Sequence, residues 1–147
     1  MKASKDELIP SEDAEQVAVV QELEARGIPY WHTNNEIWTS SWKQKARAKA
    51  MGTQSGIPDL FVCFPGQLVG IEMKRRKGGV VSPNQKYWAA IIEQCNIPVW
   101  VAHGYDEAME IVEKYEALGK IKLPELEIKM KFAEPKKKSQ KKAEDIF

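Results

Sequence analysis

Apolar and polar positions alternate in a pattern that predicts helix, strand, strand, strand, helix, strand, helix. That order fits an α/β fold with a mixed central sheet flanked by helices. Ser11 reads as the N-cap of the first helix, with acids from Glu12 to Glu15 in its first turn and Gly27 as its stop. Val19, Val20 and Leu23 form its apolar stripe. At 100° per residue Glu12 and Gln16 project into the middle of that stripe, and Glu15 onto its edge. A short strand follows over Ile28–Thr33, and Thr33–Glu36 reads as a turn. The continuous apolar run Asp59–Phe64 predicts a buried strand, Pro65-Gly66 turns the chain, and Gln67–Lys74 runs back as a second strand. Ser82-Pro83-Asn84-Gln85 has the form of a capping box with proline at the first helical position. Tyr87, Trp88, Ile91, Ile92 and Cys95 form the apolar positions behind it. Val99–Ala102 is a buried strand by composition. Asp106–Leu118 carries Ala108, Ile111, Val112, Tyr115 and Leu118 on one helical face.

Two stretches break the pattern. Residues 37–55 hold Trp38 and Trp42, then a cation at every second position from Lys43 through Lys45 and Arg47 to Lys49. On a helix those charges surround the axis and leave no apolar stripe. The stretch is a solvated helix closing a connection or a phosphate-contacting element with indoles available for stacking. Past Gly119 the periodicity fades, and Lys129–Lys142 holds seven lysines against one acid. This divides the chain into a polar leader (1–10), a domain (11–119) and a basic, flexible tail (120–147) able to add salt-sensitive DNA affinity. The acidic and apolar tip Ala143–Phe147 could dock on a partner protein such as a replication clamp.

Composition narrows the setting. A chain of 147 residues with 43% hydrophobic and 29% charged content suits one soluble domain. The net charge of +1 supplies no global attraction to nucleic acid, so such binding must come from local patches. Cys63 and Cys95 make no disulfide framework and read as small core residues of an intracellular protein. No apolar run approaches a membrane span, and the Lys2/Lys5 start lacks a signal-peptide apolar stretch. His32 and His103 stand alone, with no zinc-type spacing about them.

The chemistry concentrates in Gly56–Lys74. Glu72 and Lys74 are two apart on a strand, so both face one way while Ile71 and Met73 face the other. A carboxylate and an ammonium at the end of a buried strand cost desolvation that structure alone does not require. With Asp59 at the mouth of the adjoining strand, two carboxylates and a lysine share one rim, a set suited to a divalent cation and a general base. The basic run Arg75-Arg76-Lys77 abuts that rim and suits phosphate.

Pro58-Asp59, a linker of about a dozen residues and Glu72-Met73-Lys74 together resemble the PD-(D/E)XK signature of metal-dependent nucleases. Gly56-Ile57-Pro58-Asp59-Leu60, Ile71–Arg75 and Ser82–Gln85 narrow the resemblance to the VRR-NUC branch, of the small free-standing phage or bacterial type, over roughly residues 12 to 115. The resemblance implies Mg²⁺ or Mn²⁺ held by Asp59, Glu72 and the Met73 carbonyl. It implies an acid from the first helix and a site role for Gln85; the helical projection favours Glu12 over Glu15 as that acid, the alternative being that Glu12 only favours the helix dipole. Asn35 and Glu36 would lie near the site. Lys74 would act as proton acceptor or as electrostatic stabiliser, and both readings stand. Lys43, Lys45, Arg47, Arg75, Arg76 and Lys77 are the candidate DNA contacts. The resemblance further implies a homodimer cutting branched DNA in the manner of a four-way (Holliday) junction resolvase, with Trp38 and Trp42 as candidate dimer residues. A restriction-type duplex endonuclease and a non-cutting, clamp-associated accessory protein are the alternatives.

Overall fold

The computed structural model describes residues 8–34, 40–125 and 130–135. Asn35, Glu36, Trp38 and the terminal tip Ala143–Phe147 lie outside them. The elements run α1 (Glu12–Arg26), β1 (Tyr30–His32), α2 (Trp42–Ala50), β2 (Leu60–Phe64), β3 (Gln67–Lys74), α3 (Pro83–Glu93), β4 (Val99–His103) and α4 (Tyr105–Glu116). The four strands form one mixed sheet in the order β1-β2-β3-β4. β1 and β3 both pair antiparallel with β2, while β4 joins β3 in parallel after the α3 crossover. The expected α/β architecture is present.

Strand alternation divides the sheet into two unlike faces. Leu60, Val62 and Phe64 of β2 and Val69, Ile71 and Met73 of β3 join Val19 and Leu23 of α1 and Ala108, Ile111 and Val112 of α4 in one buried cluster. Leu23, Ile71 and Met73 are wholly excluded from solvent, so truncating any of them to alanine should cost ~2–5 kcal/mol. The opposite face carries Glu72 and Lys74 and is met by α3, none of whose residues is fully buried.

Local signals explain most boundaries. Ser11 accepts from the Ala14 amide, and Gly27 closes α1 in the left-handed conformation at φ 66°. α2 is the solvated helix weighed for this stretch, although no apolar stripe marks it. Ser41 caps it, its Ala, Lys, Arg and Gln residues favour helix, and it buries nothing. Cys95 departs from expectation: it is exposed at the end of α3, because that helix meets the sheet only partially. Cys63 is half-buried. Among the described residues no helix is long and apolar enough to cross a membrane.

Candidate active site

The site lies where the β2–β3 pair ends. Asp59 precedes β2, and its Oδ2 accepts the Met73 amide at 2.8 Å, which ties it to the strand that carries Glu72 and Lys74. Its own carbonyl accepts from the Thr33 amide at 2.8 Å and lies 2.9 Å from His32 Nδ1. The same nitrogen stands 3.0 Å from Gln16 Nε2, so the ring's tautomer decides whether it donates to the Asp59 carbonyl or accepts from the Gln16 amide. Asp59 is thereby held from β1 and from β3 together.

Glu72 is one of two acids among the described residues with a buried oxygen that lacks a donor. It is 5% exposed, and no donor reaches its buried Oε2. Burial first, and the Asp59 carboxyl beside it second, push its pKa up to about 8. Lys74 Nζ lies 3.7 Å from Glu72 Oε1 and partly offsets the repulsion. Two carboxylates close enough to share a proton, with one oxygen unsatisfied, form a hole for positive charge that a single lysine does not fill.

Gln85 joins the site through α3. Its Oε1 accepts the Ser82 amide at 2.8 Å and completes the capping box. That fixes the amide's orientation, so Nε2 faces Glu72 and donates to Oε1 at 2.7 Å. The cap and the site use opposite ends of one side chain. Gly56 makes this approach possible. At φ +90° a Cβ there would stand 2.6 Å from the Asn84 carbonyl carbon. Gly56→Ala should lower stability by ~2 kcal/mol or more and displace the start of α3. A denaturant midpoint, with cleavage measured beside it, checks this.

α1 contributes the third acid. Glu12 is half-buried and lines the cleft. Its pKa is raised by burial and by Asp59, against the lowering influence of Lys74 and the Arg75 amide that bonds to it. Glu15 falls elsewhere. It is 3% exposed rather than at the edge of the stripe, because Arg76 Nε neutralises it at 2.6 Å. Arg76 is engaged with Glu15, and its Nη2 lies 4.0 Å from Asp106.

The resulting cleft, about 1000 Å³, is lined by Glu12, Asp59, Glu72, Lys74 and Gln85, with His32 and Gln16 along its wall. His32 reads from sequence as a core or hydrogen-bonded histidine rather than a ligand, and it lines the cleft because β1 ends against Asp59. Among the described residues, no three His, Cys, Asp or Glu side chains are gathered closely enough to form a complete metal cage. The set fits a cation held by two carboxylates, with backbone carbonyl and water oxygens completing its shell, as suits a hard divalent ion. Lys43, Lys45, Arg47 and Lys49 stand exposed on α2, beside Trp42 at 84% exposure. Arg75 and Lys77 are exposed just beyond β3.

The sequence profile of the VRR-NUC domain matches residues 10–106, spanning all three blocks that build this cleft. The chain belongs to the VRR-NUC family. This is a nuclease family, and the Asp59, Glu72 and Lys74 arrangement lies inside the matched region. A solved structure of a VRR_NUC domain protein superposes with a TM-score of 0.63 at 20% identity, covering 82% of this chain and 94% of that one. At that identity the likeness shows the fold alone. No curated protein sequence matches this VRR-NUC chain.

Proposed function

We propose that this VRR-NUC protein is a metal-dependent DNA endonuclease that hydrolyses phosphodiester bonds in branched DNA, acting inside the cell as a homodimer. The observation that carries the reading is the carboxylate pair Asp59 and Glu72, one oxygen of it buried and unsatisfied, beside the Lys74 ammonium in an open cleft. Asp59, Glu72 and the Met73 carbonyl would hold Mg²⁺ or Mn²⁺, with Glu12 shaping the surroundings. When bound, such an ion supplies Lewis-acid polarisation of a phosphodiester and a water of lowered pKa. Gln85 fixes the rotamer of Glu72, and Met73 N–H fixes that of Asp59, so neither carboxylate reorganises during the reaction. Lys74 directs a positive charge into the cleft, where it offsets the negative charge that builds on a phosphoryl oxygen.

α2 supports a DNA-contacting role for its cations. A nine-residue helix with no buried face is marginal by itself, and a polyanion against Lys43, Lys45 and Arg47 would steady it. Replacing those three with alanine should weaken binding for every DNA sequence alike. It should also reduce the slope of log affinity on log salt by roughly 3. Binding titrations at several salt concentrations check this; an unchanged slope removes α2 from the interface.

One centre per chain cuts both strands of a junction symmetrically only as a two-fold dimer. Half-buried Trp88, Ile91 and Ile92 on α3 and exposed Tyr87 beside them offer apolar surface for it. The test presents a labelled four-way junction, a flap and a plain duplex to the purified protein, with its mass in solution measured alongside. Paired symmetric cuts in the junction by a dimer are expected. Cleavage confined to flaps, or a fixed pattern on linear duplex, would overturn the resolvase reading.

A further inference from the structure

One buried charge takes no part in the cleft. Glu15 Oε1 receives Arg76 Nε at 2.6 Å and lies 3.4 Å from the Tyr105 amide. Its Oε2 is buried without a donor, and a Cβ added at Gly104 would lie 2.8 Å from it. Gly104 in turn donates its amide to the Lys74 carbonyl at 3.1 Å. Glu15 therefore gathers α1, the residues just past β3 and the β4–α4 junction around one oxygen pair. Neither Glu15 nor Arg76 lines the cleft. Both stand next to residues that do: Glu12 is one turn earlier on α1, and Lys74 is two residues before Arg76. The Arg75 amide between them bonds to the Glu12 carboxyl.

We propose that the Glu15–Arg76 pair is a positioning clasp that fixes α1 against the end of β3 and so sets Glu12 opposite Asp59 and Lys74. Val19 and Leu23 already dock α1 on the sheet, but apolar packing is non-directional and leaves rotation and sliding weakly defined. A short charge-assisted hydrogen bond from the end of β3 defines both. Arg76 keeps 43% of its side chain exposed, so the pair buries one charge, that of Glu15, whose second oxygen has no donor and costs stability. The proposal rests on the nuclease reading and assigns a role that reading does not contain.

The test uses the full chain with Glu15→Met plus Arg76→Met, which substitutes apolar packing for the pair, with Arg76→Lys and Glu12→Gln beside it. All are measured well below their melting temperatures, for kcat, KM and calorimetric Mn²⁺ affinity. The double variant is expected to melt no lower than wild type. Its kcat should nevertheless fall and its Mn²⁺ binding weaken by ~10-fold or more. Arg76→Lys should recover part of the loss. In the Glu12→Gln background the methionine pair should add less than about two-fold, since the clasp acts through Glu12. Wild-type kcat and Mn²⁺ affinity in the stable double variant would overturn the clasp, as would effects that simply multiply with Glu12→Gln. A wild-type protein that binds Mn²⁺ but cuts no DNA would defeat the nuclease reading. The Mn²⁺ arm would still decide the clasp.

Discussion

Glu72→Gln is expected to abolish cleavage while making the protein more stable. The loss should be ~10³-fold or more, because the buried carboxylate is the group around which the site's charge is arranged. Folding should respond in the opposite direction. Glu72 is almost fully buried, one oxygen has no donor, and Asp59 lies against it. A neutral amide keeps an oxygen for Gln85 Nε2 and places an N–H where Oε2 was, able to donate to Asp59. At pH 8 in EDTA the gain should be on the order of 2 kcal/mol, read as a higher melting temperature. A residue present only for packing would not behave this way, since its removal would lower stability and activity together. Glu72→Gln with full cleavage would remove Glu72 from the mechanism.

The second large effect is on stability against pH and divalent cations. Glu72 holds its proton to about pH 8 in the folded chain, against 4.5 as its ordinary value. Between those values the folded state binds more protons than the unfolded one, so stability falls as pH rises through the window and levels off above it. Glu12 is raised as well and acts in the same direction. Mg²⁺ or Mn²⁺ at the site binds the ionised form, so the ion's stabilising effect should be small near pH 5 and grow toward pH 8. At about 100 times its dissociation constant a cation adds ~2.7 kcal/mol, or roughly 5–10 °C for a chain of this size. Thermal melts at pH 5, 6, 7 and 8, in EDTA and in Mn²⁺, measure both slopes. Stability in EDTA that is flat or rising from pH 5 to 8 would contradict the burial-driven account of Glu72.

The sheet strands and the acid–acid–lysine rim were legible because their signals are local. Alternation in Gln67–Lys74 places Glu72 and Lys74 on one face whatever surrounds them. Gln85 was readable as a cap from its spacing to Ser82, but its second bond depends on how α3 crosses the sheet. Glu15 shows the limit of periodicity. A helical projection reports angle and carries no information on a partner arriving from 61 residues away, so Arg76 read as a DNA contact and Glu15 as an edge residue. The place of His32 beside the site was not readable for the same reason, since its contact with the Asp59 carbonyl exists only once β1 pairs with β2. α2 was readable only as one of two alternatives, because capping and propensity form it with no apolar stripe.

The most direct measurement is the cleavage of a labelled four-way junction by the purified protein, titrated with Mn²⁺ or Mg²⁺ from an EDTA-treated start, with Asp59→Asn, Glu72→Gln and Lys74→Ala run in parallel. Cleavage that appears with the cation, disappears in EDTA and is absent from all three variants is the expected result. Tight DNA binding with no cutting under either cation, or equal cutting by wild type and all three variants, would contradict the assignment of this cleft as the nuclease centre.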